Sequence, residues 1–141
     1  MQEIEINNIS EMKVWAKKFA SDLSPNTLVL LKGDLGAGKT FFVSEVAKFF
    51  GLEQAASPTF SLHNSYYNKK VKIDHFDLYR LEDTLDLESS GFYDVVSEED
   101  NIVFVEWADR LKDSVLPMDK KTIRINIHVE NEKRKILLEN V

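Results

Sequence analysis

The stretch Gly33-Asp34-Leu35-Gly36-Ala37-Gly38-Lys39-Thr40 limits the fold more than any other part of this chain. It satisfies the spacing G-x-x-x-x-G-K-[ST], directly after the apolar run Leu28-Val29-Leu30-Leu31 and directly before a helix-like segment. A strand, a glycine-rich turn and a helix in that order make a phosphate-binding corner. The glycines let backbone N–H groups close around phosphate oxygens, and the helix points its positive N-terminal end into the same space. The expected cradle is the backbone of Gly36, Ala37, Gly38, Lys39, Thr40 and Phe41. Lys39 would reach the β- and γ-phosphates, and the Thr40 hydroxyl would bind Mg²⁺.

A chain of 141 residues fits a single domain over 1–141, with little room for a separate substrate domain. It contains no cysteine, which excludes disulfides and thiolate metal sites and suits a reducing compartment. The start, Met-Gln-Glu-Ile-Glu, lacks the basic and apolar regions of a signal peptide, and no apolar run approaches a membrane span. A cytoplasmic protein is therefore expected. With 18 basic and 24 acidic residues the net charge is −6, which argues against a broad grip on a nucleic-acid backbone. The short run Lys133-Arg134-Lys135 reads as a solvated strand end, so any contact with RNA falls to a partner.

Read in order, the pattern predicts a short first strand around Ile4 and Ile6, then a helix over 11–22 capped by Ser10, with Met12, Trp15, Ala16, Phe19, Ala20 and Leu23 as its core stripe. A buried strand over 27–32 enters the glycine loop. The next helix runs from about Lys39 to Phe50, turns Val43, Val46, Ala47 and Phe50 inward, and stops at Gly51. Strands are expected at about 60–67 and 71–78 around the turn Asn68-Lys69-Lys70. A short acidic helix precedes Gly91. Ile102-Val103-Phe104-Val105 reads as a strand buried on both faces, ending at Glu106. A helical turn over 107–113, a loop closed by Pro117, and strands at 122–129 and 134–139 complete the chain. The fold class is α/β: a phosphate-loop NTPase-like mixed, largely parallel sheet flanked by helices, with a C-terminal β-hairpin.

The chemistry follows from these positions. Mg²⁺ keeps several waters and takes one or two protein carboxylates, and Glu106, at the end of a buried strand, stands where such an acid faces the metal. It would serve as ligand, as the group orienting the attacking water, or as both. Ile73, His75 and Asp77 project from one strand face, which makes Asp77 a second acid for the metal or its waters and His75 a hydrogen-bonded packing residue. Arg80 suits a phosphate-facing cation or a surface ion pair equally. Thr59, in Ser57-Pro58-Thr59-Phe60, offers a hydroxyl to the γ-phosphate or Mg²⁺, unless that segment is only a Pro-stiffened turn. The sole Asn-Lys pair, in Asn68-Lys69-Lys70-Val71, lacks the Asp of a guanine reader and so points to adenine. Small-molecule kinases share the phosphate loop, but the Arg-rich lid and substrate pocket that usually accompany it are missing from the pattern.

Together, Gly33-Asp-Leu-Gly-Ala-Gly-Lys-Thr40, Ser57-Pro-Thr-Phe60, His75-Phe-Asp-Leu-Tyr-Arg-Leu81, Glu88 with Gly91, Val105-Glu-Trp107 and Leu116-Pro117 give a chain that resembles the bacterial TsaE (YjeE) family. These are small ATPases of threonylcarbamoyladenosine tRNA modification. The resemblance implies MgATP as ligand, a switch role for Thr59, metal-site roles for Asp77 and Glu106, and a place in the active site for Trp107. It also implies two partner proteins, TsaB and TsaD, which carry out the transfer to tRNA while the ATPase cycle supports their turnover; tRNA is then met only through the complex. The family's adenine pocket, between the segment before the first helix and the last hairpin, maps to Ile9 and Lys133. Phe41-Phe42 departs from the smaller residues common after the loop, and altered packing is expected there. An ATP-dependent docking switch without required hydrolysis is the non-catalytic alternative.

Overall fold

The computed structural model describes residues 1–52, 62–81, 84–111, 116 and 119–140. The strand leading into the glycine loop, β2 (Thr27–Lys32), lies at the middle of a seven-stranded sheet. The other strands are β1 (Gln2–Ile6), β3 (His63–Tyr67), β4 (Lys72–Asp77), β5 (Ile102–Glu106), β6 (Lys121–Glu130) and β7 (Lys133–Asn140), in the order β1-β7-β6-β2-β5-β4-β3. Pairing is parallel from β6 through β2 and β5 to β4. It is antiparallel at both margins, where β6 and β7 form the C-terminal hairpin, β1 adds to β7, and β3 adds to β4. The sheet is thus mixed, with a parallel centre.

Period-two alternation divides the core between the two faces. Val29 and Leu31 of β2, Phe104 of β5 and Ile125 of β6 meet helices α1 (Ile9–Ser21) and α2 (Lys39–Phe49). Leu28, Leu30, Val103 and Val105 point the other way, toward Leu87 of α3 (Thr84–Ser89) and toward Phe92 and Val96 of α4 (Phe92–Val96). The unusual Phe42 of α2 is fully buried and forms the centre of an aromatic group. Its ring lies 5.0 Å from Trp15, 5.2 Å from Phe19 and 6.3 Å from Phe104. Each such side chain contributes about 1.5–3 kcal/mol by leaving water. The bulky residue after the loop therefore tightens the contact of α1, α2 and the sheet.

Two local expectations are corrected. Helix α1 starts at Ile9, and its cap is Asn8, whose side chain accepts from Glu11 N at 2.9 Å; Ser10 lies inside the first turn. Glu11 reaches back to accept from Asn7 N at 3.3 Å and Asn7 Nδ2 at 2.9 Å, so an Asn-x-x-Glu capping arrangement outcompetes the hydroxyl two residues on. After Gly91 the chain forms α4, absent from the sequence reading because five residues are too few for a helical period to show. The helical turn expected after β5 is present as a 3-10 helix, Ala108–Leu111, with residues 112 and 113 outside the described residues. The strand and acidic helix expected before and after β4 are β3 and α3, while residues 60, 61, 82 and 83, Ser57, Thr59 and Pro117 lie outside the described residues.

At the edge where the parallel strands begin, a buried polar cluster ties elements together. Asp74 accepts from His63 Nε2 at 2.7 Å and from Asn101 Nδ2 at 2.8 Å. Lys120 donates to Asn101 Oδ1 at 2.6 Å and to the Glu98 carbonyl at 2.7 Å. Among the described residues no helix is long and apolar enough to cross a membrane.

Candidate active site at the glycine loop

The parallel register of β2 and β5 sets the site. Leu31 pairs with Glu106, so the strand that enters the glycine loop and the strand that ends in the acid finish side by side. Strand β4 continues the row, with Asp77 paired to Glu106. Alternation along β4 turns His75 to the same face as Ile73, toward Glu106. Residues far apart in sequence meet here because the strand order puts β5 between β2 and β4.

Glycine is required at two points of the loop. A Cβ at Gly33 would lie 2.8 Å from the Ile127 carbonyl oxygen, a backbone contact that cannot yield. Gly38, the residue before α2, has φ 108°, outside the range open to L side chains. The loop is also held from the opposite strand: Arg134 of β7 donates from Nε to the Ala37 carbonyl at 3.0 Å. The solvated-strand reading of Lys133-Arg134-Lys135 thus holds for Lys133, exposed at the hairpin, whereas Lys135 is half-buried and paired with Glu3 at 2.8 Å and Arg134 is half-buried against the loop.

Lys39, the first residue of α2, is only 4% exposed. Its ammonium donates to the carbonyls of Gly33 and of Asp34, the latter at 3.1 Å, and lies 4.2 Å from the centre of the Trp107 ring. Burial pulls its pKa below the ordinary lysine value, against the opposing carboxylates of Glu106, Asp77, Asp34 and Asp109. Trp107 itself has φ 58°, a strained conformation for a bulky residue, and its ring packs 4.9 Å from Tyr79. The sharp turn after β5 is what lays the indole over the lysine.

Thr40 Oγ1 is 2.9 Å from both oxygens of Glu106, and His75 Nε2 is 2.5 Å from Glu106 Oε2. Glu106 is 2% exposed and His75 is fully buried. Asp77, half-buried beside them, accepts from Tyr79 N at 3.0 Å. A hydroxyl and a carboxylate in contact are hard oxygen donors of the kind that could hold Mg²⁺. Among the described residues no group of three His, Cys, Asp or Glu is arranged as a metal cage, so most of such an ion's shell would come from water and phosphate.

Beside the loop is a cavity of about 380 Å³ lined by Ile6, Ile9, Met12, Gly38, Phe41 and Arg134 among others. Ile9 and Phe41 of the expected site stand in it. Lys133 lines a neighbouring polar cleft with Glu3 and Lys135, because alternation along β7 gives the cavity its neighbour Arg134. Gly36, Ala37 and Gly38 form the loop, and Thr59 lies outside the described residues. Sequence reasoning missed Arg134, hidden in a run of basic residues, and undervalued His75. Its shared face with Asp77 was legible; the adjacency of β4 and β5 was not.

The fold and site define an α/β protein with a strand, glycine loop and helix whose lysine and hydroxyl converge on an acid from the next parallel strand. The chain belongs to the TsaE family: the model of that family, described as threonylcarbamoyl adenosine biosynthesis protein TsaE, matches residues 6–136. The chain is 38% identical over 133 residues to a Rickettsia felis protein named tRNA threonylcarbamoyladenosine biosynthesis protein TsaE, covering 93% of this chain and 75% of the relative. A Synechocystis protein of the same name is 36% identical over 113 residues, 77% of this chain and 71% of that one. Among solved structures, Bacillus subtilis YdiB superposes with a TM-score of 0.77 at 26% identity, over 99% of this chain and 85% of its own.

Proposed function

We propose that this protein is a MgATP-binding ATPase of tRNA threonylcarbamoyladenosine biosynthesis, its nucleotide cycle supporting turnover of a TsaB and TsaD transfer complex. The observation that carries the reading is the contact of Thr40 with Glu106 beside the buried Lys39 at the glycine loop. The Thr40 hydroxyl spans both Glu106 oxygens at 2.9 Å, and the Lys39 ammonium rests on loop carbonyls that a phosphate would replace as its partner. The family membership supplies the pathway.

In this reading the N–H groups of Gly36 to Phe41 bind the phosphates, and Lys39 neutralises the charge that builds on them. Partial desolvation strengthens that interaction, since water screens less inside the site. Thr40 and Glu106 would hold Mg²⁺, which when bound polarises the phosphoryl oxygens. Asp77 supports the metal's waters or the attacking water, and Glu106 orients that water. Trp107 walls off Lys39 from solvent. Thr59 contacts the γ-phosphate as a switch, and the base lies in the cavity beside Ile9 and Phe41, near the hairpin of Lys133. The net charge of −6 leaves tRNA to the partners. A cytoplasmic location accords with this pathway.

Titration calorimetry with MgATP tests the assignment. Wild type should bind, and Lys39→Ala should lose most of the affinity. Unchanged affinity in the variant would refute it, and transfer of phosphate to an acceptor instead of water would favour a small-molecule kinase.

A further inference from the structure

We propose that His75 is a positioning residue that pins Glu106 Oε2 and leaves Oε1 as the oxygen available to Mg²⁺ or the attacking water. This rests on the reading of the site as a Mg²⁺-dependent ATPase. A buried histidine on a strand is ordinarily a packing residue that satisfies both ring nitrogens. His75 does not behave that way. It is fully buried, its Nε2 is 2.5 Å from Glu106 Oε2, and its Nδ1 has no hydrogen-bond partner among the described residues.

That asymmetry points to a proton on Nε2. With the proton on Nε2, the ring donates to the carboxylate and leaves only a lone pair on Nδ1. With the proton on Nδ1, a buried N–H would have no acceptor among the described residues, and Nε2 would set its lone pair against a carboxylate oxygen. The first tautomer satisfies both ends better. The contact then joins β4 to β5 through side chains at the level where Asp77 and Glu106 are paired in register.

The consequence concerns the carboxylate. Thr40 approaches both Glu106 oxygens equally, so by itself it cannot choose between them. His75 touches Oε2 alone and breaks that symmetry. A carboxylate held by one fixed donor loses its freedom to rotate, and groups that orient a metal-binding carboxylate in this way typically change metal affinity or activity 10- to 100-fold.

The test has two arms on the full chain. Long-range ¹H–¹⁵N spectra of wild type read the ring protons; the inference requires a proton on Nε2, and a ring protonated on Nδ1 alone overturns it. Calorimetry of ATP with and without Mg²⁺ then compares wild type, His75→Leu and His75→Gln. His75→Leu should retain Mg²⁺-free ATP binding and weaken the apparent Mg²⁺ affinity by about 10- to 100-fold. His75→Gln, whose amide N–H reaches the same oxygen, should recover to within a few-fold. Unchanged Mg²⁺ affinity in His75→Leu, or no recovery in His75→Gln, assigns His75 to packing. If His75→Leu does not fold, the tautomer and the His75→Gln titration decide alone. Wild type without any Mg²⁺ effect refutes the ATPase reading itself and takes this inference with it.

Discussion

Thr40 and Glu106, 66 residues apart, are joined by a hydroxyl 2.9 Å from each carboxylate oxygen. A contact of this kind couples the helix after the glycine loop to the end of the neighbouring strand, and it exists only because β2 and β5 run parallel in register. Removing the hydroxyl while keeping the shape isolates its role. Thr40→Val should fold, lose about 1.5–3 kcal/mol of hydrogen bonding to the carboxylate, and weaken the Mg²⁺-dependent part of ATP binding at least about tenfold. Thr40→Ser should keep it. Equal Mg²⁺ dependence in all three proteins, read by calorimetry, would detach the hydroxyl from the metal.

Arg134 makes a second long-range link, its Nε donating to the Ala37 carbonyl in the loop at 3.0 Å. Ala37 is buried, so that carbonyl has little access to water when the arginine is removed. Arg134→Ala should loosen the loop and weaken ATP binding about tenfold, the equivalent of about 1.4 kcal/mol. Arg134→Lys should not restore it, because an ammonium does not reproduce the planar guanidinium's N–H at that position. An affinity within twofold of wild type for either variant would make the contact incidental to the nucleotide.

Stability should depend on pH through Asp74. Burial pushes its carboxyl up, but hydrogen bonds from His63, Asn101 and Ser65, with the Lys72 charge nearby, outweigh this and hold its pKa below the ordinary 3.8. A carboxyl with a depressed folded-state pKa stabilises the protein above the unfolded value and loses that contribution as pH falls toward the folded one. Wild type should therefore lose stability as pH drops below 3.8, over and above other groups. Asp74→Ala should be weaker by about 1–3 kcal/mol at neutral pH, since it removes an acceptor of the buried Asn101 amide, and should show a smaller further loss at about pH 3. Urea midpoints at both pH values check this; parallel losses would contradict it.

Much of this architecture could be read from the chain because its parts are local. The glycine spacing, the apolar run into it and the two-sided strand before Glu106 each declare themselves within about ten residues, the range over which periodicity and turn chemistry act. The shared face of Ile73, His75 and Asp77 followed from strand geometry alone. What failed was either too short or too distant. Asn8 and Ser10 are both good caps, and Glu11's reach back to Asn7 decides between them only in three dimensions. Five-residue α4 carries no period. Arg134 looked like one of three solvated basic residues because nothing local marks Ala37, 97 positions earlier, as its partner. His75 meets Glu106 through strand order, a property of the whole sheet.

The most direct test of the central claim is release of inorganic phosphate from MgATP by wild type and Glu106→Ala, each alone and with TsaB, TsaD and tRNA. The account predicts turnover by wild type, raised by the partners and accompanied by repeated rounds of tRNA modification, with a loss on the order of 100-fold or more in Glu106→Ala despite retained nucleotide binding. Hydrolysis unchanged by the mutation, or partners that neither bind nor alter the rate, would contradict it.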